Sequence, residues 1–173
     1  MTHCRHIQSD KMMIINWKGY IDMNYEIITL REKIVAGIAE RTNNKASDMK
    51  KVIGGLWKKF YKDGIYKMIP EKINKSSLAI YTDYAGGISD DYTVMVCCEV
   101  KKESKNIQYM IRTIPAGKYA KFVVKGNVQT AVIEAWKNIW HMDLPRSFNC
   151  DFEEYLNDDM EHAEINIYIG LKE

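Results

Sequence analysis

Asp151-Phe152-Glu153-Glu154-Tyr155 sets acidic residues among aromatics. Phe and Tyr at alternate places suit a half-buried strand. Side chains alternate across a strand, so Glu153 and Tyr155 share one face while Phe152 and Glu154 share the other. A carboxylate beside a phenol on an apolar sheet costs free energy unless it has a partner, a bound cation or access to water. The plain alternative is an edge strand with solvated acids.

C-terminal to it, the next strand covers residues 162–171, with Ile165, Ile167, Ile169 and Leu171 on one side and Glu164, Asn166 and Tyr168 on the other. Upstream, Asn127 is placed to cap a helix over 128–142 whose stripe is Val128, Val132, Ile133, Trp136, Ile139 and Trp140. Before it lie strands over 107–114 and 118–125, separated by Pro115-Ala116-Gly117. The same order occurs earlier in the chain. Residues 25–30 and 33–42 read as strands, and Ser47 or Asp48 opens a helix over 49–62 with the stripe Met49, Val52, Ile53, Leu56, Trp57 and Phe60. Gly54 and Gly55 each lower that helix's intrinsic stability by ~1 kcal/mol relative to Ala. They are expected where something packs closely. A linker containing Pro70 leads to strands over 77–84 and 92–101, joined through Gly86-Gly87.

The chain therefore holds an internal strand-helix-strand-strand repeat, residues 33–101 and 118–171. Trp57 and Trp136 are 136 − 57 = 79 positions apart, one on each helix stripe. Two units too small to bury their own sheet faces pair around a pseudo-twofold axis. The expected class is α+β: duplicated β-α-β-β units forming one antiparallel sheet, two main helices on one face and a ligand groove on the other. Glu153, Tyr155, Tyr168, Tyr81 and Asp83 are expected to face that groove, with Trp57 and Met95 completing its lining. Tyrosines around a carboxylate suit a lipophilic cation, each ring adding roughly 0.5–2 kcal/mol by cation–π contact.

Composition narrows the alternatives. The 173 residues suit one domain, expected over 23–173, with 1–22 as an N-terminal extension that shows no clear period. A net charge of +2, both signs scattered, is not the footprint of a nucleic-acid binder, and no DNA-reading module is visible. Cys4, Cys97, Cys98 and Cys150 form no C-x-x-C pair. Free thiols without a recognisable signal peptide point to the cytoplasm. No apolar run approaches the ~20 residues of a membrane span. His3-Cys4-Arg5-His6 is the nearest approach to a metal-ligand cluster, and its position at an unpatterned terminus argues against a site. No metal, cofactor or phosphate loop is expected.

These segments resemble the GyrI-like family of small-molecule effector-binding domains, a duplicated SHS2-like fold also found as the effector domain of AraC-type and BmrR-like regulators. The resemblance rests on Asn24-Tyr25-Glu26-Ile27, Lys33-Ile34-Val35-Ala36-Gly37, Gly54-Gly55-Leu56-Trp57 and Ile80-Tyr81-Thr82-Asp83-Tyr84. It continues through Ile114-Pro115-Ala116-Gly117-Lys118-Tyr119, Trp136 with Ile139-Trp140, and Asp151-Phe152-Glu153 with Tyr155. It implies a stand-alone member in which Glu153 meets a cationic ligand, with Tyr81, Tyr155 and Tyr168 as the pocket aromatics. Where the family often carries glycine before Glu-Val, this chain has Cys97-Cys98. The resemblance also implies two alternatives, a protein-binding, gyrase-inhibitor-like modulator or a hydrolase of reactive electrophiles using Glu153 and Tyr155. No Ser-His-Asp or Cys-His arrangement supports the hydrolase.

Overall fold

The computed structural model describes residues 23–102 and 108–173, so the expectations for 1–22, including the His3–His6 cluster, fall outside the described residues. Eight strands form one antiparallel sheet in the order β1-β6-β8-β7-β3-β4-β2-β5. They are β1 (Glu26–Leu30), β2 (Lys33–Thr42), β3 (Ser77–Thr82), β4 (Tyr92–Val100), β5 (Met110–Ile114), β6 (Gly117–Gly126), β7 (Arg146–Tyr155) and β8 (Ala163–Leu171). The helices are α1 (Met49–Lys62), a four-residue α2 (Ile65–Met68) and α3 (Val128–His141). The linker containing Pro70 includes one helical turn, started by Gly64 at φ 76°.

The duplication is closer than the sequence periods alone indicate. β1 and β5 each have five residues, β2 and β6 ten, α1 and α3 fourteen, and β4 and β8 nine. With β2 and β4 laid start on start over β6 and β8, the pair Ala36↔Cys98 falls on Ala120↔Ile169, and the partners of the equivalent Val96 and Ile167 are Ala79 and Glu153. Ala79 and Glu153 are also direct partners across the β3–β7 seam, so the pseudo-twofold axis passes between them. The repeat includes one strand more than expected, and that strand is exchanged. β1 leads into β2 yet pairs with β6, and β5 leads into β6 yet pairs with β2.

This exchange shapes the sheet. β1 and β2 are joined by only residues 31–32, although they lie far apart in the strand order. Two residues span about 10 Å at most, so the sheet curls until its edges approach. The face away from α1 and α3 becomes the inside of that curl. It is filled by Val35, Leu78, Ile80, Met95, Cys97, Ile114, Tyr119, Cys150, Phe152 and Tyr168.

The helix-bearing face holds two further cores. Leu56 and Phe60 of α1 pack on Ala36, Ala79, Val94, Val96 and Cys98. Val132, Ala135 and Ile139 of α3 pack on Ala120, Phe122, Ile165, Ile167 and Ile169. Asn127 caps α3 by accepting from the Gln129 N–H at 2.9 Å, whereas Asp48 makes no side-chain cap on α1. A Cβ on Gly54 or Gly55 would meet nothing within 4 Å, so close packing is not what places glycine there.

The close approach lies elsewhere, at Gly37. A Cβ there would overlap the Val96 carbonyl and stand 2.6 Å from the Cys97 Cα. Backbone cannot retreat cheaply, so Gly37→Ala is expected to cost about 1–3 kcal/mol. Thermal melting would show this as a drop of several degrees, and an unchanged midpoint would contradict the packing at β2–β4.

Candidate functional site

Glu153 lies at the middle of the sheet, on the central β3–β7 seam, and is 2% exposed. Its Oε1 accepts from the Tyr81 hydroxyl at 2.8 Å and from the Trp136 indole N–H at 2.6 Å. Its Oε2 accepts from the Tyr155 hydroxyl at 2.6 Å. All three donors are neutral, and among the described residues no lysine, arginine or histidine pairs with this acid. Burial pushes the Glu153 carboxyl above its ordinary 4.5, and the three hydrogen bonds offset only part of that rise.

The aromatic surround is pseudo-symmetric. Tyr81 and Tyr155 occupy equivalent strand positions, since Tyr81↔Val94 falls on Tyr155↔Ile165. Trp57 and Trp136 are both ninth in their helices. The indole of Trp57 meets Tyr155 edge-on at 4.8 Å, and that of Trp136 meets Tyr81 at 5.4 Å. Tyr61, stacked on Trp57 at 5.9 Å, extends one side of this box. The axis position breaks the symmetry, with a carboxylate on one strand and the methyl of Ala79 on the other.

A second buried acid sits two residues away on the same face. Asp151 is fully buried but has its own cation, Arg146, at 2.6 Å. It also accepts from the Tyr84 hydroxyl at 2.7 Å and the Gly170 N–H at 2.9 Å. Arg146 reaches it because β7 is irregular between Arg146 and Asp151, where Phe148 has φ 55°. The guanidinium lies 4.6 Å over the Phe148 ring.

The structure brings together four of the residues named from sequence, Glu153, Tyr155, Tyr81 and Trp57, but on the face bearing the helices. The expectation that Glu153 and Tyr155 face away from them is corrected by the register, which pairs Glu153 with Ile167 under α3. Tyr168 lies on the other face, stacked on Phe152 at 4.3 Å and donating to Glu154 at 2.9 Å. Met95 is fully buried on that same far face. Asp83 sits past the end of β3, half exposed, 3.8 Å from Arg112. None of these three reaches Glu153, because strand alternation or the strand end directs each elsewhere. Trp136, assigned from sequence to the core stripe, is the residue missed. Its equivalence to Trp57 was the available signal.

A duplicated α+β sheet with an acid inside an aromatic box between two helices defines a small-molecule effector-binding domain of the GyrI-like class. The match of residues 26–171 to the family model of integron-associated effector-binding proteins, Cass2, makes this chain a member of that family. YobU of Bacillus subtilis (strain 168), designated a candidate transcriptional regulator, is 32% identical over 162 residues, covering 87% of this chain and 99% of YobU. The integron cassette protein VCH_CASS2 from the mobile metagenome of Vibrio cholerae shares the fold with a TM-score of 0.70, at 24% identity over 86% of this chain and 95% of its own. SAV2435, solved bound to tetraphenylphosphonium, shares it with a TM-score of 0.72, at 20% identity over 87% of this chain and 94% of its own.

Proposed function

We propose that this protein captures a lipophilic monocation between α1 and α3, with the charge set against Glu153. The observation that carries this reading is the contrast between two buried acids on one strand face. Asp151 has an internal cation, and Glu153 has only neutral donors. An ionised carboxylate out of water costs several kcal/mol unless a positive charge is near. A ligand cation supplies it. Tyr81, Tyr155, Trp57 and Trp136 offer π-faces to the same charge. The tetraphenylphosphonium bound by SAV2435, on a shared fold, supports the choice of ligand class. The regulatory designation of YobU fits a domain that senses a small molecule.

Isothermal titration with tetraphenylphosphonium and with neutral triphenylphosphine oxide tests the reading. The cation is expected to bind at least about tenfold more tightly, a difference of ~1.4 kcal/mol. Equal affinities would sink the assignment of Glu153 as the charge partner. The affinity also depends on pH with a definite sign. In the free protein the Glu153 carboxyl stays protonated above its ordinary 4.5, and only its ionised form attracts the cation. Affinity therefore rises as pH climbs toward the raised value of the free protein, then levels off above it. A pH-independent affinity across that window would contradict the model.

A further inference from the structure

The pseudo-twofold axis exposes a second difference between the halves, on the other side of the sheet from Glu153. In the first half, Lys33 and Glu99 form a partly buried ion pair at 2.6 Å. Lys33 is the first residue of β2 and Glu99 the eighth of β4. Their equivalents, the first residue of β6 and the eighth of β8, are Gly117 and Gly170. Both partners of the ion pair are thus absent from the second half. A cavity of about 320 Å³ lies there, with both glycines in its wall.

The remaining wall is mixed, with Pro115, Ala116, Tyr119 and Leu171 supplying apolar surface beside a smaller set of charged and polar groups. Lys118 and Lys172 line the cavity, with Ser147 and Asn149 from the irregular stretch of β7. Among the described residues neither ammonium has a carboxylate partner. Glu173 is the one acid in the wall, and it is exposed. Gly170 cannot be filled by a side chain, because a Cβ would stand 2.7 Å from the Cys150 carbonyl and 2.8 Å from Ser147 Oγ. The volume is at the lower end for small-molecule sites. Where the first half places its own carboxylate beside a lysine, the second half has two glycines and a cavity with Lys118 and Lys172 in its wall.

We propose that this cavity is a second binding site, for a compact oxyanion of carboxylate or phosphate chemistry. The ammonium groups supply charge-assisted hydrogen bonds, and the Ser147 hydroxyl and Asn149 amide supply neutral donors. The site is separate from the cation box and stands or falls without it.

Backbone-amide NMR of the full chain decides the matter, with inorganic phosphate and acetate as alternative probes and sodium chloride at matched ionic strength as reference. Saturable shifts are expected at Gly117, Lys118, Asn149, Gly170 and Lys172, with the more effective probe identifying the oxyanion class. A Lys118→Gln/Lys172→Gln double variant is expected to bind about tenfold or more weakly. Both lysines are exposed, so this variant keeps the wild-type spectrum elsewhere. Shifts that fail to saturate, that spread over surface lysines generally, or that persist unchanged in the double variant would overturn the proposal. So would a wild-type spectrum that neither probe perturbs.

Discussion

Glu153→Gln is expected to remove measurable tetraphenylphosphonium binding and to raise the melting temperature at neutral pH. The two effects have one cause. Glutamine keeps an oxygen for Tyr81 and Trp136 and turns its amide toward Tyr155, so the hydrogen-bonded box survives without the charge. The ligand loses its partner in a dry site, a loss of roughly 2–5 kcal/mol by analogy with truncated buried charge pairs. The free protein loses the cost of holding an ionised acid without a cation. The pH dependence fixes the sign. A carboxyl whose folded pKa is raised contributes stability below its unfolded value and loses it as pH climbs through the folded value. The wild type therefore loses stability, relative to the variant, as pH rises above 4.5, and the two converge below it. Melting curves at pH 4 and pH 8 with and without the cation measure all of this. Retained affinity in the variant would end the reading of Glu153.

Arg146→Met should have the opposite character, a large loss of stability with cation binding intact. Asp151 has no solvent access, and the guanidinium at 2.6 Å is its only basic partner among the described residues. Removing one member of a buried pair typically costs about 3–5 kcal/mol, because the other is left charged. At about 2–4 °C per kcal/mol for a chain of this size, the midpoint should fall by roughly 10 °C. An added Asp151→Asn change should recover much of the loss. A fall of less than about 2 °C in the single variant would mean that Tyr84 and Gly170 suffice for Asp151.

The repeat, the helix stripes and the grouping of Glu153 with Tyr81 and Tyr155 were legible from the pattern of residues. The side of the sheet on which Glu153 lies was not. Alternation tells which residues of one strand share a face. Relating that face to the helices needs the register between β7 and β8, and the loop 156–162 between them does not dictate it. Tyr168 shows the consequence. It is correctly separated from Ile167 by alternation, yet Glu153 pairs with Ile167 and so parts from Tyr168. Met95 likewise alternates away from Val94 and Val96, the residues beneath α1. Trp136 was hidden by its dual character, since a stripe position read as core also carries an indole N–H that reaches the acid. The strand exchange left no local trace, because residues 31–32 and 115–116 read equally well as hairpin turns.

That exchange sets an order of events during synthesis. Of the described strands β1 emerges first, but its only partner among the described residues, β6, is made some ninety residues later, and β2 must wait for β5 on its outer side. The first repeat leaves the ribosome with its β2 edge unpaired and without the wall that closes the inside of the curl. Such long-range pairing slows folding and leaves strand edges open until late. The internal copies are thus not two modules joined by a tether. Each is an incomplete piece until the other arrives, and a nascent chain halted after Val100 would have two bare sheet edges, β2 and β3, to offer chaperones or other chains.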